Sequence, residues 1–207
     1  HLVFPYHKVQ DGLEETLKNS LRAGTTKRGI GPCYSDKVGR FGVRVCDLLD
    51  EKILSKKLNT FLPLKEKLFS VYGSETDLEQ RTLLAKYLTY GRLLRPYIDN
   101  AIHTVYCAMK NNKQILLEGA QGTLLDIDYG VYPYGTSSNA VSGGACTGAG
   151  IPPNQINRII GVVKAYTSRV GEGPFPTEIH GPLSEMIRER GSEYGTVTKR
   201  PRRCGWL

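Results

Sequence analysis

Leucines recur every three or four positions from Glu51 to about Asn111, with polar residues between them. That period marks helices that bury one face. It predicts helices over 51–61, 64–71, 77–94 and 97–110, interrupted by Pro63, Gly73 and Pro96. An earlier helix is expected from Asp11. There Asp11-Gly-Leu-Glu14 reads as a capping box, and Leu13, Leu17 and Leu21 keep one apolar face up to Gly24. A last helix is expected over 183–190, ended by Gly191. The stretch 43–49 fits either a short strand or a helical turn. Two apolar runs have another character: Lys113-Gln-Ile-Leu-Leu117 and Arg158-Ile-Ile-Gly-Val-Val-Lys-Ala-Tyr166 read as buried strands.

Each expected strand runs into a glycine-rich loop. After the first comes 118–150, EGAQGTLLDIDYGVYPYGTSSNAVSGGACTGAG, with almost no charge beyond Asp126 and Asp128. After the second comes Arg169-Val-Gly-Glu-Gly-Pro-Phe-Pro176. Strands separated by long helical crossovers predict an α/β chain with a mostly parallel central sheet and a large helical insertion. Loops at the carboxyl edge of such a sheet are where ligands bind. Glycine lets a backbone approach a ligand closely. Gln121, Thr123, Thr136, Ser137, Ser138 and Asn139 add neutral hydrogen-bonding groups. The mixture suits a phosphorylated, base-bearing small molecule, and a plain Gly/Ser-rich surface loop is the competing reading.

Composition narrows the picture. At 207 residues, 40% hydrophobic and 23% charged, the chain is expected to be one large globular domain or part of one. No apolar run approaches the roughly 18 residues of a membrane span. His1-Leu-Val-Phe-Pro5 lacks the basic start of a signal peptide, and the chain neither opens on Met nor closes on a polar tail. A piece of a longer protein is the expectation. Five cysteines without metal-ligand or C-x-x-C spacing point to reduced thiols in a cytosolic protein. The net charge of +8 calls for an anionic partner. Lys199, Arg200, Arg202 and Arg203 carry half of it.

Three loops are therefore expected to converge on an anion: 24–32, 118–139 and 196–203. The first lacks the Walker A order of a phosphate loop. The run Asp126-Ile-Asp-Tyr-Gly130 begins like a calcium loop, but Ser137 stands where its terminal Glu belongs, which excludes an EF-hand. The basic run 199–203 has a competing reading as a nucleic-acid-binding patch. Its neighbours Gly195, Thr196 and Thr198 favour a fixed loop instead, in which arginine forks grip phosphate or carboxylate. His1, His7, His103 and His180 show no ligand spacing and read as structural. There is no G-x-S-x-G elbow and no HExxH motif.

At these loops the sequence resembles the adenylosuccinate synthetase family. Gly29-Ile-Gly-Pro-x-Tyr34-x-x-Lys37-x-x-Arg40 is similar to a family signature. So are Glu118-Gly-Ala-Gln-Gly-Thr-Leu-Leu-Asp-Ile-Asp128, Tyr132-Pro-Tyr-x-Thr-Ser-Ser-Asn139, Arg169-Val-Gly-x-Gly-Pro-Phe-Pro-Thr-Glu178 and the closing Arg202-Arg203-Cys-Gly-Trp-Leu207. The resemblance implies a P-loop-NTPase-like α/β fold and GTP-dependent ligation of IMP and L-aspartate to adenylosuccinate, with GDP and phosphate released and Mg²⁺ required. By position it implies IMP contacts at Thr26, Arg40, Gln121, Thr136 and Arg200. It implies aspartate contacts at Val170 and along Thr196, Val197, Thr198, Lys199, Arg200, Pro201 and Arg202, with Arg202 also near GTP. Lys37 belongs to the signature as a lesser catalytic candidate. Arg40 is implied to reach the IMP of a neighbouring subunit, hence a homodimer, cytoplasmic, with neither nucleic acid nor membrane as partner.

Two departures stand out. The family loop reads T-T-G-R where this chain has Val197-Thr198-Lys199-Arg200, so a hydroxyl is lost and Lys199 replaces glycine. The family's N-terminal phosphate loop with its catalytic Asp, a downstream catalytic His, the guanine-recognition segment and the Mg²⁺ ligands have no counterpart within residues 1–207. The chain therefore reads as the central part of a single synthetase domain, inactive alone. A basic nucleic-acid-binding domain and a non-catalytic nucleotide binder are the alternatives.

Overall fold

The computed structural model describes residues 1–76, 78–196 and 199–207. They divide into two compact units, one of residues 1–20 and 27–115, the other of residues 21–26 and 116–207.

The first unit is helical. Helix α1 (Pro5–Lys18) begins earlier than the capping pattern suggested. Pro5 occupies the first helical position, where its fixed φ suits the helix and no amide is lost. The Phe4 amide donates to His7 Nδ1 at 2.8 Å and closes the first turn. Asp11 lies inside the helix, and its Oδ2 accepts the Gly29 amide at 2.9 Å instead of capping. Helix α2 (Ile30–Gly39) follows, then a short 3-10 turn over Val45–Leu49, which resolves the ambiguity at 43–49.

Helix α3 (Glu51–Val71) runs straight through Pro63, where the sequence predicted a break. Asp50 starts it by accepting the Lys52 and Ile53 amides. Leu54, Leu58, Leu62 and Phe69 fall on one buried face that spans the proline. Burial of roughly 1.5–3 kcal/mol per such side chain outweighs the cost of about 3 kcal/mol for an interior proline. Pro63 and Asn59 are both exposed, so the carbonyl freed at Asn59 faces water. Helix α4 (Gln80–Leu94) packs on α3, and Tyr87 stacks on Phe4 with ring centroids 4.0 Å apart. The predicted start of this helix at Asp77 lies outside the described residues. Helix α5 (Ala101–Lys110) buries none of its side chains.

The second unit carries helix α6 (Ser142–Ala149), strand β1 (Thr167–Arg169), helix α7 (Pro182–Arg190) and strand β2 (Arg203–Gly205). Helix α7 matches the expectation of 183–190. Helix α6, with sequence SGGACTGA, was hidden because small residues give no apolar period. The strands pair antiparallel, Thr167 opposite Gly205 and Arg169 opposite Arg203. The chain is thus α/β, but among the described residues this pair is the whole sheet. The runs 113–117 and 158–166, expected as strands of a parallel sheet, lie in no helix or strand. Leu116 is 88% exposed and Val162 95%. A β-strand exists through partners that take its N–H and C=O groups, and no such partner stands beside these runs among the described residues.

Candidate functional site

Most predicted site residues fall in the second unit: Thr26, Gln121, Thr136, Val170, Thr196, Lys199, Arg200, Pro201 and Arg202. Val197 and Thr198 lie outside the described residues. Lys37 and Arg40 belong to the first unit.

Four loops of the second unit meet. Arg200 Nη2 donates to the Gly24 carbonyl at 2.6 Å, two residues before Thr26. A Cβ at Gly24 would stand 3.4 Å from Arg200 Nη1 and 3.4 Å from Gly171 Cα, and Gly24 has φ +73°. Glycine there meets both a left-handed backbone and a close approach. Thus Arg200 and the segments 21–26 and 169–173 converge, with half-buried Val170 in the last. Arg169 brings in the fourth loop by donating from Nη2 to the Tyr134 carbonyl at 2.8 Å, two residues from Thr136.

The loop carrying Gln121 and Thr136 is organised by an acid. Asp126 is 1% exposed. Its carboxylate accepts the amides of Asp128 at 2.9 Å, Tyr129 at 3.0 Å and Val141 at 3.1 Å. The Tyr129 amide leads the causes that hold this carboxyl down at about 2, against the opposing effect of burial. With its oxygens taken by amides, Asp126 serves the loop's shape. The Thr136 amide donates to the Leu125 carbonyl at 2.7 Å. Gln121 is exposed with φ +65°, and Thr26 and Thr196 are exposed as well.

The arginine-bearing loop is a closed stem. The Arg202 amide donates to the Glu193 carbonyl at 2.8 Å, Tyr194 bridges Pro201, and the Gly195 amide donates to the Arg200 carbonyl at 2.8 Å. Lys199, in place of the family's glycine, sits at φ +55°, a left-handed conformation costly for any side chain. Next to the stem, Arg203 holds Glu178 with two guanidinium nitrogens and donates to the Gly173 carbonyl at 2.9 Å. The hydrogen bonding of Arg203 to Glu178 is the main reason the Glu178 carboxyl lies below its usual range. Sequence reasoning missed Asp126, Glu178 and Glu193 as organisers. The one signal was the isolation of Asp126 in a nearly uncharged stretch.

In the first unit, the signature 29–40 spans the start and end of α2. Gly29 has φ +78°, and a Cβ there would lie 2.8 Å from the His7 carbonyl carbon, so the first signature glycine is enforced by both conformation and packing. Lys37 Nζ sits 5.4 Å from the Tyr34 ring centroid. Arg40 is exposed at the C-cap with φ +65°. Among the described residues, no group of three or more His, Cys, Asp or Glu could hold a metal ion, so none is assigned as a Mg²⁺ ligand.

Convergent glycine-rich loops and cations have the chemistry that suits an anionic small molecule. A family model described as adenylosuccinate synthetase matches residues 1–207. The adenylosuccinate synthetase of Acetivibrio thermocellus is 52% identical over 208 residues, covering 100% of this chain and 49% of that protein. That of Thermodesulfovibrio yellowstonii is 53% identical over 208 residues, covering 48% of it. A solved structure described as fully ligated adenylosuccinate synthetase from Plasmodium falciparum superposes with a TM-score of 0.93 at 42% identity, covering 100% of this chain and 48% of that one. The chain belongs to the adenylosuccinate synthetase family. It spans about half the length of the curated relatives it matches.

Proposed function

We propose that this chain is the central part of an enzyme that ligates IMP and L-aspartate to adenylosuccinate at the expense of GTP, in AMP biosynthesis. What carries the reading is the family match across residues 1–207 together with the convergence of Arg200 on the 21–26 segment. In this reading Thr26, Gln121, Thr136 and Arg200 bind IMP. Gln121 offers both a donor and an acceptor to a purine edge, and the others suit a phosphate or sugar. Val170 and the loop 196–202 take aspartate, and Arg202 also lies near GTP. Lys37 is an auxiliary cation. Arg40 reaches the IMP of a second subunit in a homodimer. Phosphoryl transfer spreads charge over oxygens that cations must meet, and Mg²⁺ would supply part of that charge from ligands beyond these residues.

The finer fold belongs to the same proposal. The exposed apolar runs 113–117 and 158–166 are read as strands of a mostly parallel, P-loop-NTPase-like sheet, completed by further polypeptide of a single synthetase domain. The location is cytoplasmic; no described helix is long and apolar enough to cross a membrane.

The test is formation of adenylosuccinate from IMP, GTP, aspartate and Mg²⁺ by the full-length protein. Residues 1–207 alone should show no turnover. In the full-length protein, Arg200→Ala should lower kcat/KM roughly 10- to 100-fold, since a charge-assisted hydrogen bond contributes about 1.5–3 kcal/mol. An inactive full-length protein, or an Arg200→Ala variant with unchanged kcat/KM, overturns the reading. Binding to DNA that weakens steeply with salt would favour the nucleic-acid alternative, whereas binding of IMP in a concave site should weaken less.

A further inference from the structure

We propose that Glu193 is the positioning residue of the arginine-bearing loop, setting Arg202 and registering the loop against the segment that leads to Val170. Glu193 is 3% exposed, in a unit whose other charged side chains mostly face solvent. Its Oε2 accepts Arg202 Nη1 at 2.9 Å. Its Oε1 accepts Lys164 Nζ at 2.7 Å and the Tyr166 hydroxyl at 2.7 Å. Its backbone carbonyl accepts the Arg202 amide at 2.8 Å, and its amide donates to the Arg188 carbonyl at 2.8 Å. Arg188 Nε in turn donates to the Arg202 carbonyl at 2.9 Å.

One residue thus holds both ends of the stem and the segment that leads into β1. Its main chain closes the loop at Arg202, and one carboxylate oxygen fixes the Arg202 guanidinium. The other oxygen grips Lys164 and Tyr166, immediately before β1 and Val170. Burial pushes the Glu193 carboxyl up, but hydrogen bonds from Lys164, Tyr166, Ser168 and Arg202 outweigh it and hold the group at about 2. It is therefore an anion at any working pH. A guanidinium is a rigid fork, and where its second edge points is decided by what holds the first. Pre-setting that direction spares the loop an ordering cost when an acidic ligand arrives. Across the same loop the Lys199 amide donates to the Gly195 carbonyl at 2.8 Å, with Lys199 left-handed.

The inference rests on the ligase reading and is tested in the full-length enzyme with aspartate as variable substrate. Glu193→Gln keeps the shape but turns one acceptor into a donor facing Arg202 or Lys164. It should raise the aspartate KM about 10-fold or more, the effect of one charge-assisted hydrogen bond, while kcat falls less. Arg202→Ala should have its own effect, and adding Glu193→Gln to it should raise the aspartate KM by less than Glu193→Gln does in the wild-type background, because the glutamate acts in part through the arginine. Glu193→Asp should recover part of the loss. Independent, multiplying effects of the two substitutions overturn the proposal, as does an unchanged aspartate KM in Glu193→Gln. If Glu193→Gln does not fold, Tyr166→Phe removes one carboxylate partner without stranding a charge. A raised aspartate KM at unchanged Tm then supports the proposal, and an unchanged KM overturns it. A wild type that forms no adenylosuccinate overturns both readings, whereas an active wild type with an indifferent Glu193 overturns this one alone.

Discussion

Asp36→Ala strikes the buried polar centre of the first unit. Asp36 is 6% exposed, and His7, Gln10 and Lys65 around it are buried too. Its Oδ1 accepts Lys65 Nζ at 2.6 Å, and Oδ2 meets His7 Nε2 at 2.9 Å. His7 Nδ1 already accepts the Phe4 amide, so the ring proton sits on Nε2 and His7 donates to Asp36 as a neutral group. The ion pair is therefore Lys65 with Asp36, and Gln10 Oε1 at 2.9 Å is the other acceptor for the ammonium. Removing the carboxylate strands a buried ammonium and an imidazole N–H. Breaking one side of a buried pair costs about 3–5 kcal/mol, a large share of the about 5–15 kcal/mol of a typical protein. The triad ties α1, α2 and α3 together, so backbone amides of these helices should report the loss. At about 1.4 kcal/mol per factor of ten, hydrogen-exchange protection there should fall roughly 10²- to 10⁴-fold. The double variant Asp36→Leu with Lys65→Met removes both charges and should lose less than Asp36→Ala alone. A loss under about 1 kcal/mol in the single variant, or a double variant at least as damaged, would refute the argument.

Three further outcomes are expected. The Asp126 and Glu193 carboxyls start from ordinary values of 3.8 and 4.5 and lie at about 2 in the folded chain. Depressed values stabilise the fold above the ordinary range and lose that contribution as pH falls toward 2. Acid titration of Asp126→Asn and Glu193→Gln should therefore show a flatter stability profile below about pH 4.5 than wild type, and an equally steep one would contradict the assignment. Lys199→Gly should relieve a left-handed strain of about 1–2 kcal/mol, less the about 0.4–1 kcal/mol of added freedom in the unfolded chain. A small rise in Tm is the result, and a clear fall would give the lysine side chain a structural role. If Arg40 reaches across the proposed homodimer, mixing Arg40→Leu subunits with subunits lacking the catalytic Asp that the family resemblance implies upstream should recover roughly one quarter of wild-type activity, since about half the dimers would be mixed and half their sites restored. No recovery, with subunit exchange confirmed, would leave Arg40 serving its own subunit or holding only a structural role.

The sequence alone determined the helical block, because leucine spacing in α3 and α4 records directly which side of a helix is buried. It determined the family, because ordered runs such as Gly29-Ile-Gly-Pro32 and Arg202-Arg203-Cys-Gly-Trp206 are long and specific. It also pointed to loops that the structure joins, since glycine and arginine in such a setting carry their chemistry in their identity. Tertiary structure alone decided the rest. Pro63 stays inside α3 because side chains on both sides of it share one core, a fact no local rule contains. Asp11 caps nothing because α1 begins at Pro5, and a residue 18 positions away claims its carboxylate. The apolar runs 113–117 and 158–166 look like strands, yet being a strand depends on partners that a run of residues cannot specify by itself. Glu178, Glu193 and the Asp36 triad were invisible for a related reason. A charge is driven inside only when distant groups arrive to pay its desolvation, and Lys164, Arg203 and Lys65 reach those acids only once the chain has folded.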